Sequence, residues 1–315
     1  MKLSDHALSR LREAADWPHL ASGRYEIVSQ IGQGGMGSVY LARDRELHRD
    51  VAIKVMRSPA PAPEADARMR REARVIARLE HPGIVPVHDI GKLEDGRVFY
   101  VMKWVRGVNL EEFCSGRSPG ERLRVFLKVC EAVAFAHDHG VIHRDIKPGN
   151  IMVGVFGEVL VLDWGVAKVL GDPDRADGTD DAASGDLVTR DGAVVGTPGF
   201  MAPEQASGKV HLIDQRTDVY ALGAILRVIM KDMHVARPLG AIQERALHPD
   251  PGGRYPSVAA LSADILSFLD GQAVTAYREG SLERLRRVFR RFRTPILLIL
   301  AYLVMRALLA LLVRR

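Results

Sequence analysis

Segment 141–150 brings three polar side chains of complementary chemistry close together. It reads V-I-H-R-D-I-K-P-G-N, so the carboxylate of Asp145, the ammonium group of Lys147 and the amide oxygen of Asn150 fall within six positions. A second carboxylate, Asp163, follows in segment 161–165, V-L-D-W-G. A base, a cation and hard oxygen ligands for Mg²⁺ are the groups that phosphoryl transfer requires, because that chemistry depends on positioning and on balancing negative charge.

A glycine-rich segment earlier in the chain predicts a phosphate-binding loop. Residues 32–39 read G-Q-G-G-M-G-S-V, and glycines at this spacing let backbone amides approach phosphate oxygens. A dinucleotide-binding turn uses similar glycines but opens a helix, whereas residues 39–41, V-Y-L, continue a strand. No Lys-Ser or Lys-Thr follows the last glycine, which excludes a Walker A loop.

Lys54 is a single charge within the apolar segment 51–56, V-A-I-K-V-M, which is predicted to be a strand. A lone lysine on a strand is more often a solvated edge residue. Apolar neighbours on both sides instead favour a buried lysine with a partner anion. Glu72, on the predicted helix 64–79, can supply the pairing carboxylate while the ammonium group reaches phosphate.

The elements that must position these residues fall into two groups. Short β-branched segments predict a small antiparallel sheet, at 25–31, 38–41, 51–56 and 98–102. From Asn109 onward, apolar residues at helical spacing dominate, as in Leu123, Phe126, Leu127 and Cys130. A β-rich lobe is therefore expected to precede an α-rich lobe.

Taken in order, and completed by G-T-P-G-F-M-A-P-E at 196–204, these motifs resemble those of the bacterial eukaryotic-like (Hanks-type) Ser/Thr protein kinases. The resemblance covers about residues 24–270. It implies an α+β fold, the bilobal protein-kinase fold with a β-rich N-lobe over 24–105 and an α-rich C-lobe over 106–270. It also implies ATP, Mg²⁺ or Mn²⁺, and protein Ser or Thr hydroxyls as acceptors, including those of the kinase itself.

The resemblance implies a role for each matching residue. Asp145 would orient the acceptor hydroxyl and take its proton, while Lys147 would steady the γ-phosphate. Asn150 and Asp163 would be the metal ligands. The expected ATP contacts are Ile31, Gly32, Gly34, Gly37, Val39, Lys54 with its partner Glu72, the gatekeeper Met102, and Val105 in the hinge 103–105.

Other residues are expected to regulate or support the site. Thr197 matches the threonine of the P+1 loop, which in the family helps to favour Ser and Thr over Tyr as acceptors. Arg144 suggests regulation by phosphorylation of a long loop, since the equivalent arginine pairs with a loop phosphate. Seven aspartates in segment 171–193 leave open that a carboxylate fills this role instead. The candidate phosphosites are Thr179, Ser184 and Thr189. The resemblance also implies a buried Glu204–Arg254 ion pair and a bracing role for Asp218, whereas His143 is expected to pack.

Two departures from the family pattern stand out. Trp164 replaces the usual phenylalanine in the metal-binding tripeptide, so the packing of that segment is expected to differ. The C-lobe is shortened after Gly223, because few residues separate Asp218 from Arg254. A surface that helps to dock protein substrates is therefore expected to be trimmed, which favours a narrow substrate range or action mainly on itself.

The charge of the chain is divided between its body and its end. Of the net +5, segment 278–315 carries +8, with ten arginines and two acids, and the rest carries −3. This distribution argues against a nucleic-acid binder. The two cysteines, Cys114 and Cys130, exclude a small disulfide scaffold.

The end of the chain predicts a membrane anchor. A leader over 1–23 has no signal-peptide pattern, and a basic segment over 271–294 precedes an apolar segment over 295–313, long enough for one transmembrane helix. Arg306 would cost about 2.5–3.5 kcal/mol near mid-membrane, against about 4–7 kcal/mol returned by twelve Leu, Ile and Val residues. A helix lying on anionic lipid is the alternative. We expect a single-pass inner-membrane protein with its kinase domain in the cytoplasm. Dimerisation through the tail is also expected, because anchoring raises the local concentration of the chain and favours phosphorylation between copies.

Two other readings remain open. An ATP-binding pseudokinase scaffold would explain the shortened C-lobe, although every phosphate-binding and metal-binding residue is present. A small-molecule phosphotransferase is disfavoured by segment 196–204, which in the family shapes a peptide site.

Overall fold

The computed structural model describes residues 23–34, 37–56, 63–164, 167–169, 199–231, 235–291 and 293–313, together with residues 18 and 20. Its first lobe is a five-stranded antiparallel sheet with strand order β1-β2-β3-β5-β4. The strands are β1 (Tyr25–Gln33), β2 (Gly37–Asp44), β3 (Arg49–Met56), β4 (Val87–Lys92) and β5 (Val98–Lys103), and helix α1 (Pro63–Arg78) connects β3 to β4.

The central strands of this sheet are buried on both faces. Alternate residues of β3 pack into two separate clusters, with Ala52 and Met56 in one and Ile53 and Val55 in the other. This division follows from the two-residue period of a strand. It explains why segment 51–56 reads as an unbroken apolar run around Lys54.

The second lobe is mainly helical and includes a short sheet of three neighbouring strands, in the order β6 (Gly107–Asn109), β8 (Ile151–Gly154) and β9 (Val159–Val161). The long helix α3 (Pro119–Asp138) begins with a capping box formed by Ser118 and Glu121. In chain order the elements are β6 (Gly107–Asn109), α2 (Leu110–Cys114), α3 (Pro119–Asp138), β7 (Val141–Ile142), β8 (Ile151–Gly154), β9 (Val159–Val161), β10 (Lys168–Val169), α4 (Pro203–Ala206), α5 (Gln215–Ile229), α6 (Arg237–Ala246), α7 (Val258–Leu269), α8 (Ser281–Arg291) and α9 (Arg293–Val313).

The strands and the helix predicted for the first lobe agree with the structure, but strand β4 of its sheet and the short strands β6 to β10 of the second lobe were not predicted. The four predicted strands are present and slightly longer, and the predicted helix 64–79 corresponds to α1. Strand β4 was not predicted, because its six residues include His88, Asp89 and Gly91 and alternate only between half-buried and exposed. It lies at the edge of the sheet, where such a weak pattern is tolerated.

Helix α5 ends at Ile229 and α6 begins at Arg237, so these two helices of the C-lobe are separated by positions 230–236 alone. Residues 232–234 among them lie outside the described residues. So do the leader, apart from residues 18, 20 and 23, and the predicted sites Thr179, Ser184, Thr189 and Thr197.

Within the described part of the chain, no helix is both long and apolar enough to pass through a membrane. The transmembrane helix predicted over 295–313 is therefore not confirmed. Helix α9 covers that segment, but the side chains of several of its residues, among them 307, 308 and 310–313, lie outside the described part.

Candidate active site

An ionic cluster, in which Lys54 and Glu72 are buried and Asp163 is partly exposed, joins the sheet, helix α1 and the segment after β9. Nζ of Lys54 lies 2.8 Å from Oε1 of Glu72 and 2.8 Å from Oδ1 of Asp163. Burial opposes the charge of Lys54, but Tyr100, Glu72 and Asp163 raise the pKa of its ammonium group well above the ordinary value. Burial likewise opposes ionisation of Asp163, yet the charge and the hydrogen bond of Lys54 lower the pKa of that carboxyl. Both groups are therefore held in their charged forms.

A second cluster surrounds Asp145. Nζ of Lys147 donates to Oδ2 of Asp145 at 2.8 Å. The amide nitrogen of Asn150 donates to the backbone oxygen of Asp145 at 2.8 Å and to its Oδ2 at 3.2 Å. This places the amide nitrogen of Asn150 on Asp145 and leaves its amide oxygen as the atom able to bind a cation.

The loop that carries Asp145 is braced by a fully buried carboxylate. Asp218 on α5 accepts hydrogen bonds from the backbone amides of His143 and Arg144, both at 2.9 Å, and from Nε2 of His137 at 2.7 Å. Arg144 has φ +68°, a left-handed conformation that side chains other than glycine rarely adopt. The hydrogen bonds from the two backbone amides to Asp218 hold Arg144 in this conformation, which confirms the bracing role expected of Asp218.

The same loop is fixed from a second side by α4. Nε2 of Gln205 donates to the backbone oxygen of Arg144 at 2.8 Å. Glu204, its neighbour, forms the expected buried ion pair with Arg254. One buried network of polar contacts therefore connects the loop after α3 with the segment before α5.

Both clusters open onto a single cleft of about 850 Å³ between the lobes. Nearly all the residues predicted to bind ATP, the metal or the acceptor line it, with Glu72 behind Lys54. The lining includes Ile31, Gly32, Gly34, Gly37, Val39, Lys54, Met102, Val105, Asp145, Lys147, Asn150 and Asp163. The sequence thus predicted which residues meet, although glycine loop positions 35 and 36 lie outside the described residues.

Gly37 is a position of the glycine-rich loop at which the structure leaves no room for a side chain. A Cβ at this position would lie 2.3 Å from the backbone oxygen of Val55 on the neighbouring strand β3. The glycine therefore permits β2 to begin tightly against β3, just where the glycine-rich loop ends.

Trp164 packs where a phenylalanine was expected. Its side chain is 1% exposed, and its ring centroid lies 4.5 Å from that of His143. His143 in turn has Nε2 3.1 Å from the backbone oxygen of Leu162. The indole Nε1 has no hydrogen-bond partner among the described residues. The packing role predicted for His143 fits this stack.

Three residues that support the site, Tyr100, His137 and Gln205, had no such role assigned in the sequence analysis. The hydroxyl of Tyr100 donates to Oε1 of Glu72 at 2.8 Å, and burial together with the charge of Glu72 raises the pKa of that phenol well above its ordinary value. His137 pairs with Asp218, and Gln205 with the backbone of Arg144. An aromatic residue in an apolar strand and a histidine near a helix end carry no sequence signal for such contacts.

Comparison with known proteins agrees with the geometry. The family profile described as "Protein kinase domain" matches residues 25–247. The serine/threonine-protein kinase PknB of Mycolicibacterium smegmatis is 36% identical over 82% of this chain and 45% of its own length. The serine/threonine-protein kinase PknD of Chlamydia pneumoniae is 35% identical over 79% of this chain and 31% of its own length. The chain thus spans less than half the length of these curated relatives.

A solved structure gives the same result for the fold. The crystal structure of the PknI kinase domain of Mycobacterium tuberculosis superposes with a TM-score of 0.57 at 26% identity, covering 80% of this chain and 98% of that one. The bilobal arrangement of a sheet and a helical lobe is therefore shared with a known kinase domain.

Proposed function

This chain belongs to the protein kinase domain family, among the bacterial Hanks-type Ser/Thr kinases, and we propose that it transfers the γ-phosphate of ATP to Ser and Thr hydroxyls of proteins. The observation that carries this proposal is the convergence of the Lys54–Glu72–Asp163 cluster and the Asp145–Lys147–Asn150 cluster on one cleft. One cluster presents the ammonium group of Lys54 to a polyphosphate and the carboxylate of Asp163 to a metal that would accompany it. The other has a carboxylate positioned to receive a proton.

ATP is proposed to bind in the part of the cleft that lies next to the hinge and the sheet. Met102 and Val105 line it beside the hinge, and Ile31 and Val39 line it from the sheet, so that apolar side chains are available to the adenine ring. Lys54 is held by Glu72 with its ammonium group in the cleft, where it neutralises phosphate charge. The glycine-rich loop supplies backbone amides without a Cβ in the way.

The donor set of the site fits a divalent metal. Asp163 contributes a carboxylate that is 42% exposed, and Asn150 contributes an amide oxygen on the same cleft. These are hard oxygen ligands of the kind that Mg²⁺ and Mn²⁺ prefer. A bound metal would supply charge compensation for the phosphate oxygens.

Transfer then requires Asp145 and Lys147 to act together. Asp145 orients the acceptor hydroxyl and accepts its proton as the hydroxyl oxygen bonds to the γ-phosphorus and the bond to the β-phosphate oxygen breaks. Lys147, hydrogen-bonded to Asp145, shifts toward the transferred group and stabilises its charge. Asn150 holds Asp145 in place through its amide nitrogen.

Autophosphorylation of the full chain, purified in detergent, tests the proposal. The chain is incubated with Mg²⁺ and ATP beside Asp145→Asn, and phosphosites are mapped by mass spectrometry. Asp270→Asn, an exposed residue at the end of α7, is the matched control for an Asp-to-Asn change. We expect phosphate on Ser or Thr in the wild type and in Asp270→Asn, and none in Asp145→Asn.

Two outcomes would contradict the proposal. Phosphorylation that persists in Asp145→Asn would remove that residue from the reaction. A wild type that binds ATP without any transfer, to itself or to added proteins, would favour an ATP-binding scaffold.

The same mapping addresses regulation by the segment before α4. Thr179, Ser184 and Thr189 are the proposed phosphosites, and Thr197 is proposed to contact the acceptor peptide. Replacement of all three phosphosites by Ala should lower the rate if Arg144 needs a phosphate partner. An unchanged rate would show that the aspartates of segment 171–193 pair with Arg144 instead.

The short connection between α5 and α6 supports a narrow substrate range. A phosphoproteome in which the kinase phosphorylates many unrelated proteins would refute it.

We also propose that the end of the chain attaches the kinase to a membrane, with the catalytic lobes on the cytoplasmic side. The support is the apolar surface of α9, where Leu297, Leu298, Ile299 and Leu300 are each more than half exposed. Exposed apolar residues in such number are unfavourable in water. Attachment would also raise the local concentration of the chain and favour phosphorylation between copies.

A further inference from the structure

The segment that follows the helical lobe is fastened to it by a buried carboxylate. Asp264 on α7 is 3% exposed and accepts hydrogen bonds at 2.8 Å from the backbone amide and the hydroxyl of Thr275. It also accepts from the backbone amide of Ala276 at 3.1 Å and from the hydroxyl of Tyr255 at 2.8 Å. The chain leaving α7 is therefore held in a defined path.

A second set of contacts fixes the start of helix α8. The hydroxyl of Tyr277 lies 3.0 Å from Oε2 of Glu283, and the backbone amide of Gly280 donates to the same oxygen at 3.2 Å. Nε of Arg287 donates to Glu279 at 2.9 Å. We call the contacts of Asp264, Glu279 and Glu283 the α8 clamp. They connect the start of α8 to the helical lobe.

The clamp leaves one face of α8 open to solvent. Leu282, Leu285 and Phe289 are 77%, 66% and 54% exposed. Positions three and four apart lie on the same face of a helix, so these three side chains form one apolar stripe. Arg284 beside them is exposed, and the sequence adds arginines at 286, 290 and 291.

The combination of an apolar stripe and many arginines identifies the occupant of this face. A basic amphipathic helix binds an anionic bilayer by inserting its apolar side chains at the headgroup boundary while its arginines contact lipid phosphates. Helix α9, with its exposed apolar surface, begins at Arg293, so that only position 292 separates it from the end of α8. A protein partner would not account for this continuity with a second, more apolar helix.

We propose that α8 lies in the headgroup layer of an anionic bilayer, with Leu282, Leu285 and Phe289 inserted. The α8 clamp then fixes the orientation of the kinase lobes relative to that surface. This inference rests on the membrane attachment proposed above and adds the lipid class, the inserting residues and a rigid connection.

The test uses the full chain reconstituted with vesicles of phosphatidylcholine, with or without phosphatidylglycerol. Leu285→Cys carries an environment-sensitive fluorophore, because the native Cys114 and Cys130 are buried. Phe156→Cys, 93% exposed at the turn between β8 and β9, is the matched control. Flotation on a density gradient measures attachment, and quenching by spin-labelled lipid measures insertion.

We expect a blue-shifted, lipid-quenched signal at 285 in anionic vesicles and none at 156. The combined substitutions Arg284→Gln, Arg286→Gln, Arg290→Gln and Arg291→Gln should weaken the insertion, since each arginine near an anionic surface contributes roughly fivefold to partitioning. This variant keeps Arg287, which belongs to the clamp. A chain that floats while the label at 285 stays aqueous would overturn this inference alone, and a chain that does not float would overturn the attachment itself.

Energy transfer from a label at 156 to a dye in the lipid headgroups tests the orientation. Glu283→Gln weakens the clamp at a surface position and should broaden the distance distribution without changing the thermal midpoint of the kinase lobes. An unchanged distribution would overturn the rigid connection.

Discussion

Both terminal nitrogens of Arg254 lie 2.7 Å from the carboxylate of Glu204, Nη1 from Oε1 and Nη2 from Oε2, and neither side chain is more than 3% exposed. The remaining donors of the guanidinium reach the backbone oxygens of His248, Arg216 and Pro249. Thr217 donates to Glu204 at 3.0 Å. The pair therefore ties α4, which holds the catalytic loop through Gln205, to α5 and to the segment before α7.

Glu204→Gln should destabilise the fold. It keeps the shape of the side chain but leaves the charge of Arg254 uncompensated in a buried site, which costs about 3–5 kcal/mol. Urea unfolding followed by circular dichroism measures the change. Glu244→Gln, at an exposed position of α6, is the control and should have little effect. Equal midpoints for wild type and Glu204→Gln would show that the pair does not stabilise the fold.

Tyr100→Phe should impair the kinase less than Glu72→Gln. The phenylalanine removes one hydrogen bond to Glu72, worth about 1.5–3 kcal/mol when one partner is charged, but leaves the Lys54–Glu72 pair in place. The glutamine removes the charge that holds Lys54. We expect a higher KM for ATP in both variants, with the larger change in Glu72→Gln. Steady-state kinetics over a range of ATP concentrations measures it, and a larger defect in Tyr100→Phe would reverse the proposed order of importance.

The family resemblance predicted the members of the charged clusters because they belong to short motifs at fixed positions, although the contact between Lys54 and Asp163 was not predicted. Asp145, Lys147 and Asn150 lie in one loop, and Lys54 is the only charged residue of the apolar segment 51–56. Contacts between distant elements carried no such signal. The hydrogen bonds of Tyr100 and His137 depend on how α1 and α5 pack, which no local pattern specifies.

Backbone conformation was equally hidden from the sequence. Asp163 has φ +59°, a value that local preferences assign to glycine or asparagine before aspartate. The ion pair with Lys54 holds this conformation across the cleft. Strand β4 escaped prediction because its polar residues are acceptable only at a sheet edge, and edge position is a property of the whole sheet.

Trp164→Phe should preserve activity. The smaller ring can still stack on His143, and the change removes an indole N–H that has no partner among the described residues. The gap left by the larger ring opposes this gain, so the net change in unfolding free energy should be small. Trp164→Ala should instead lose about 3–5 kcal/mol through the cavity it creates. Thermal unfolding and autophosphorylation measure both effects, and loss of activity in Trp164→Phe with an unchanged midpoint would show that the indole is needed to position its neighbour Asp163.

Acid should destabilise the kinase through Asp218. Burial opposes the charge of this carboxylate, but the hydrogen bond and charge of His137, with the charge of His143 and the amide of Arg144, lower its pKa below the ordinary value. A lowered pKa in the folded state means that the carboxylate's stabilising contribution is complete above the unfolded pKa, about 3.9. The contribution is then lost as the pH falls toward the folded pKa. Asp218→Asn cannot titrate, so the gap between its thermal midpoint and that of the wild type should be widest near pH 6 and narrow below about pH 4. A gap that stays constant from pH 6 to pH 3 would show that ionisation of Asp218 does not contribute to stability.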